Sequence, residues 1–228
     1  AFSVVLLVFD LGNIRPYNKI ESITFTDNSE LTTIEDYAFY GSVFLTDINI
    51  PKSVTRIGSH SFAYSGLSNV TFEENSTLKE IGMMAFSRTF ITSIIIPETV
   101  TKIESSAFYK TKLMHVFIPK NVNFISNAFV GCDLLETIEV DPENNFFISV
   151  DGVLYNKAVT ALVTFPSGKT DEYFVIPNSV VYIYSEAFTN LHLKSILISK
   201  NVTRIDSWAF IGAVTLENII VDSENTKY

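Results

Sequence analysis

Three histidines and one cysteine are the side chains best suited to catalysis in this chain of 228 residues, and the sequence sets none of them beside a partner. His60, His115 and His192 lie far apart, with no pair at metal-ligand spacing, no HExxH and no Cys-His cluster. Cys132 is the only cysteine, so no disulfide can form within the chain. A catalytic thiol needs a neighbouring base and a lowered pKa. The surroundings of Cys132, "AFVGCDLL", read instead as a buried structural site. No glycine-rich phosphate loop or nucleophile elbow occurs. The acidic run "DPEN" at 141–144, with Asp151, offers oxygens of the kind calcium takes. It lacks the alternating ligands closed by a Glu, so turn chemistry is the expectation. The reading is a protein that is not an enzyme, with no metal and no cofactor.

What must be positioned, then, is a surface. The chain is 47% apolar and 18% charged, with a formal charge of −9. That is ample for a core, and the net negative field opposes phosphate backbones and anionic lipid headgroups. No run of Lys or Arg forms a patch, so neither nucleic acid nor a membrane surface is an expected partner. The first residues, "AFSVVLLVFDLGN", are apolar but too short to span a bilayer, and they lack the basic start of a signal peptide. Residues 1–17 read as an apolar cap or as a fragment of a preceding region.

The rest repeats. Ala38-Phe39, Ser61-Phe62, Ala85-Phe86, Ala107-Phe108, Ala128-Phe129, Ala187-Phe188 and Ala209-Phe210 share one context, with Phe separations of 23, 24, 22, 21, 59 and 22. An Ile stands four residues before the small residue at 34, 57, 81, 103, 183 and 205, and Ile125 misses that spacing by one. After each pair comes an alternating apolar segment, such as Ile48/Ile50, Ile94/Ile96, Val116/Ile118, Phe174/Ile176 or Ile219/Val221. Alternation of β-branched residues is a strand signal. Pro51, Pro97, Pro119 and Pro177 close four of these segments, since proline removes a ladder donor. A fixed period of this length signals a solenoid, in which stacked turns bury a core that no single turn could.

One stretch departs from the period. In 141–172, "VLYN" and "ALVTF" read as a β-hairpin insertion, with Asp151-Gly152 starting the first strand. The closing "IIVDSENTKY" echoes "IEVDPENNFF", which suggests a truncated last repeat.

The pattern Leu-x-x-Ile-x-Ile-Pro-x-x-Val-x-x-Ile-x-x-x-Ala-Phe resembles the BspA-like leucine-rich repeats. "LTDINIPKSVTRIGSHSF" (45–62) and "ITSIIIPETVTKIESSAF" (91–108) carry it, and the resemblance extends from about residue 18 to the last residue. Departures are Ser61 in place of Ala, Phe174 in a rewritten turn, and the short turn at Ile125. The resemblance implies a leucine-rich-repeat solenoid: a β-rich curved array with one short strand per turn of about 22–24 residues, stacked in a parallel sheet. Residues 18–228 would form a single such domain, with an irregular hairpin-bearing repeat at 141–172. It also implies a cell-surface or extracellular protein, of the kind displayed by bacteria and by trichomonad parasites. Such proteins are linked with antigenicity and with adhesion to host matrix or cells.

Outward positions flank each inward pair. They are polar in the first turns (Ser22/Thr24, Asp47/Asn49, Asn69/Thr71), but one column then turns apolar: Ile95, Phe117, Val175, Leu197 and Ile220, interrupted by Glu139. His115 and Tyr173 stand beside this column. Six rungs at about 4.8 Å would span roughly 24 Å, the scale of a peptide or of a partner's edge. The expectation is a face for a protein partner, possible host matrix or cell-surface proteins included. The alternatives are β-formers that merely suit strands, and a spacer that only sets reach. Asn69, Asn75 and Asn201 stand in N-x-S/T sequons, which a eukaryotic secretory route could glycosylate.

Overall fold

The computed structural model describes residues 18–26 and 29–228; the apolar cap expected at 1–17 lies outside them. In chain order the first strands are β1 (Thr33–Ile34), β2 (Asp47–Ile50), β3 (Arg56–Ile57), β4 (Asn69–Phe72), β5 (Glu80–Ile81) and β6 (Lys102–Ile103). There follow β7 (His115–Ile118), β8 (Phe124–Ile125), β9 (Thr137–Val140), β10 (Phe147–Val150), β11 (Val153–Asn156) and β12 (Ala161–Thr164). The array continues with β13 (Tyr173–Val175), β14 (Tyr182–Ile183), β15 (Ser195–Ile198), β16 (Arg204–Ile205) and β17 (Asn218–Val221). The molecule is a β-solenoid, and its ladders join equivalent segments of successive turns in parallel.

Each turn carries two strand columns, one more than the repeat pattern predicts. The alternating segments give the longer strands, paired β2–β4, β7–β9 and β13–β15–β17. The Ile that precedes each Ala-Phe pair lies in a second, two-residue strand, and these form the continuous ladder β1–β3–β5–β6–β8. Stacking Ile34, Ile57, Ile81, Ile103 and Ile125 in register makes one buried row. The segment 93–96 is the exception among the longer strands. Ile94 and Ile96 are buried as their alternation predicts, yet the segment joins no ladder. Alternation therefore reported burial here without reporting hydrogen bonding.

The Ala-Phe pairs build the interior. Phe39, Phe62, Phe86, Phe108 and Phe129 stack ring on ring at 5.3, 5.4, 5.5 and 5.6 Å. Offset stacking at such separations adds about 0.5–1.5 kcal/mol per pair beyond area burial. The small residue stands where its carbonyl accepts the Phe N–H of the preceding turn, as in Phe62 N to Ala85 O and Phe86 N to Ala107 O, both 2.8 Å.

Residues on either side of the pair are left-handed. Tyr37, His60, Met84, Ser106, Asn127, Glu186 and Trp208 precede it with φ from 44° to 62°. Gly41, Tyr64, Arg88, Lys110, Gly131, Asn190 and Gly212 follow it with φ from 53° to 70°. A non-glycine residue held there costs about 1–2 kcal/mol. Inter-turn bonds offset that cost, because the left-handed kinks aim every second N–H along the array: Tyr37, Phe39 and Gly41 donate to Ser59, Ser61 and Ala63.

The interruption is a three-stranded antiparallel meander, β10–β11–β12, rather than a two-stranded hairpin. Asp151 and Gly152, at φ 50° and 80°, are its first turn rather than the start of a strand. β12 then pairs in parallel with β14, so the meander forms one sheet with β14 and β16, separate from the β1–β8 ladder but continuing its column of two-residue strands. Phe165 stands where an Ala-Phe pair is missing: its N–H bonds Ala187 O at 2.8 Å and its ring lies 5.7 Å from that of Phe188. The meander is covered on both sides. Leu154 and Val163 belong to the core shared with residues 34–147, whereas Val153, Tyr155 and Leu162 belong to a second core reaching Ala209.

Candidate partner-binding face

Two outward columns run along the array, and their chemistry differs. On the second ladder, Arg56 pairs with Asp36 at 2.9 Å and Glu80 at 3.6 Å, Lys102 pairs with Glu104, and Lys102 lies over the Phe124 ring at 5.5 Å. Arg204 lies over Tyr182 at 4.8 Å. These groups satisfy one another and leave little for a partner. On the longer strands, the first turns are polar: Asp47 is opposite Asn69, and Thr71 donates to Asn49 at 2.9 Å. In the last three turns, Val175, Leu197 and Ile220 stand directly in register.

The structure brings some of the predicted face together and separates the rest. Val175 and Ile220 are 48% exposed and Leu197 is half-buried, so they form an apolar run of three adjacent rungs, with exposed Tyr173 beside it. Phe117 is 45% exposed but sits opposite Glu139, and His115 is opposite Thr137. Ile95, at 87%, projects from the segment that joins no ladder. β9 and β13 are not ladder neighbours, because the meander packs beside β9, with Ile138 N donating to Gly152 O at 2.9 Å. Ile219 and Val221, read from the sequence as inward, are 50% and 38% exposed on β17, the last strand of its sheet.

Of the sequon asparagines, Asn69, Asn75 and Asn201 are all exposed. The Asn201 amide already donates to Asn178 O at 2.8 Å, across one turn.

Cys132 is fully buried beside Thr111 and Phe108 O, and burial pushes its thiol up to about 11. His60 stacks on Tyr37 at 4.7 Å, and burial lowers its pKa; His115 and His192 are exposed in other turns. Among the described residues, no three His, Cys, Asp or Glu lie close enough to hold a metal ion. The "DPEN" run is turn chemistry with a buried anchor. Asp141 accepts from Glu143 N at 2.8 Å, while the Asn144 amide donates to Pro119 O and Val122 O and accepts from Phe146 N and Phe147 N. Asn225 repeats this with Ser199 O, Val202 O, Lys227 N and Tyr228 N.

One constellation escapes a linear reading. No run of basic residues exists in the sequence, yet the 22-residue step places Arg88 and Lys110 on adjacent turns, with Lys112, in a single groove. The usable signal is the recurrence of a cation two residues after Phe86 and Phe108.

The chain belongs to the BspA-type leucine-rich-repeat family, whose repeat region matches it in six copies over residues 16–149 and 164–228. The gap between those ranges contains β11 and most of β12 of the meander. Among solved structures, a leucine-rich repeat protein from Eubacterium ventriosum is similar at TM-score 0.73 and 25% identity, over 85% of this chain and 58% of that one. The pneumococcal vaccine antigen PcpA is similar at TM-score 0.65 and 31% identity, over 90% of this chain and 46% of that one. A leucine-rich cell surface protein from Faecalibacterium prausnitzii is similar at TM-score 0.56 and 27% identity, over 88% and 68%. The chain thus spans roughly half the length of the first two of these proteins. No curated protein sequence matches it.

Proposed function

We propose that this chain is a non-enzymatic, surface-displayed interaction module that docks a protein partner on its apolar strand rungs. The observation that carries the reading is the registered run Val175, Leu197 and Ile220, presented outward on β13, β15 and β17. Contiguous exposed apolar area mostly marks an interaction site. The flanking aromatic Tyr173 enlarges it. Phe117 and Ile95 are exposed apolar residues outside this run. Family membership and the cell-surface and antigen descriptions of two similar structures support display outside the cell, with host matrix or cell-surface proteins as the partners to try first. No helix among the described residues is long and apolar enough to cross a membrane. On a eukaryotic secretory route the exposed Asn69, Asn75 and Asn201 would be the glycan acceptors.

The test is capture of purified matrix and cell-surface proteins by the chain and by a Val175→Ser, Leu197→Ser, Ile220→Ser variant with a matching thermal melt. Loss of capture in the folded variant supports the face. Capture that survives places binding elsewhere. No capture by either form favours a spacer, in which the turns only set reach.

A further inference from the structure

We propose that the groove holding Arg88, Lys110 and Lys112 is a second binding site, for a short acidic segment of a protein partner. The site lies beside the Ala-Phe turns and shares no residue with the apolar rungs. Seven cations (Arg56, Lys102, Lys120, Lys169, Lys194, Lys200 and Arg204) have a carboxylate within 4.0 Å. Arg88, Lys110 and Lys112 have none among the described residues, as is also true of Lys19, Lys52, Lys79, Lys157 and Lys227; what sets the three apart is that they line the same groove. All three are exposed, and they line one groove of about 250 Å³.

Two of the cations are held in place. The Arg88 guanidinium lies 5.3 Å from the Tyr64 ring and 5.7 Å from the Tyr109 ring, and Lys110 Nζ lies 5.3 Å from Tyr109. The aliphatic stem of Lys110 crosses Gly131, where a Cβ would come within 2.9 Å of its Cγ. Aromatic faces and a glycine floor thus fix two charges one turn apart, about 4.8 Å along the array. Asp133, the one carboxylate of the groove, accepts from the Asn190 amide at 3.2 Å and pairs with none of the three.

The exposed Phe90 and Leu134 complete the lining and give an apolar residue of the ligand a place to rest. A net charge of −9 opposes a long polyanion along its whole length, whereas a short acidic segment meets only the groove. Both points favour a peptide over a sulfated glycan or a nucleic acid.

The test is fluorescence anisotropy with a labelled peptide of about ten residues, rich in Glu and carrying one Leu, against the whole chain. An Arg88→Gln, Lys110→Gln, Lys112→Gln variant should keep its thermal melt and bind roughly tenfold or more weakly, and wild-type binding should weaken as salt rises. Gly131→Ala, which displaces Lys110, should weaken binding in the same direction. No binding by wild type, or binding equal in the triple variant, overturns the proposal. Tighter binding of a sulfated oligosaccharide through the same residues overturns it in favour of a glycan site. A Val175→Ser, Leu197→Ser, Ile220→Ser chain should bind the peptide normally, so failure of either site is read separately.

Discussion

The turns before the meander and those after it share a backbone and differ in what they show to solvent. In the first turns the longer strands carry Asp47, Asn49, Asn69 and Thr71 outward, with Thr71 donating to Asn49, and the exposed Ile95 and Phe117 follow singly before the meander. After it, the same positions carry Val175, Leu197 and Ile220. The interiors differ as well. Before the meander five Phe rings stack without a break, whereas after it Phe188 stacks on Phe210 at 5.1 Å but is tilted by 33° and 59° against Phe165 and Phe174. Inward positions are therefore constrained by the turn above and below, and outward positions are free to take on recognition. The meander lets both arrangements coexist by presenting a separate apolar face to each core.

The sharpest test of that comparison removes one ring from each side. Phe86→Ala breaks a stack with two parallel neighbours and should cost about 3–5 kcal/mol in denaturant unfolding. Phe188→Ala has one parallel neighbour and should cost about 1 kcal/mol less. Equal costs would mean that ring geometry contributes nothing beyond burial.

The meander's two faces can be separated next. Leu154→Ala, at about 2–5 kcal/mol, should reduce hydrogen-exchange protection in the turns before it. A Tyr155→Ala change should act on the turns after it. Loss spread evenly over the chain in both variants would show one cooperative core instead of two.

A smaller effect is expected at the buried asparagine. Asn144→Ala leaves two carbonyls and two N–H groups without their partner, and a cost of about 2–3 kcal/mol should appear as fraying at the junction of β9 and β10. The equivalent change at Asn225 should loosen only the last turn.

The smallest effects are electrostatic. Burial works against ionised Asp36, but the Ser59 N–H and the Arg56 guanidinium hold its carboxyl below the usual 3.8. Its contribution is thus complete above about pH 4 and is lost as pH falls through the lowered value. Asp206 is held down on the other side by the Tyr182 hydroxyl and by Arg204, with the same sign. Asp36→Asn and Asp206→Asn should each flatten the acid limb of a stability-against-pH curve, by less than 1 kcal/mol for Asp36 because that carboxylate is half exposed.

Much of this protein was written in its sequence by itself. The period, the small-residue-Phe pairs and the inward Ile positions determine a solenoid, because each turn meets the same neighbour and must fill the same interior. The structural role of Cys132 and the turn role of "DPEN" were equally legible, from local composition. Other features were settled only by the tertiary structure. The second strand column is two residues long, too short for any alternation to register. The rung at Ile94 and Ile96 keeps its burial but not its ladder, and only the paired backbone decides that. Phe165 replaces a missing pair because the meander's last strand, β12, pairs in parallel with β14, a substitution that no linear spacing shows. The three cations at 88, 110 and 112 become neighbours only when two turns stack, since residues 22 positions apart in the chain are one strand spacing apart in space.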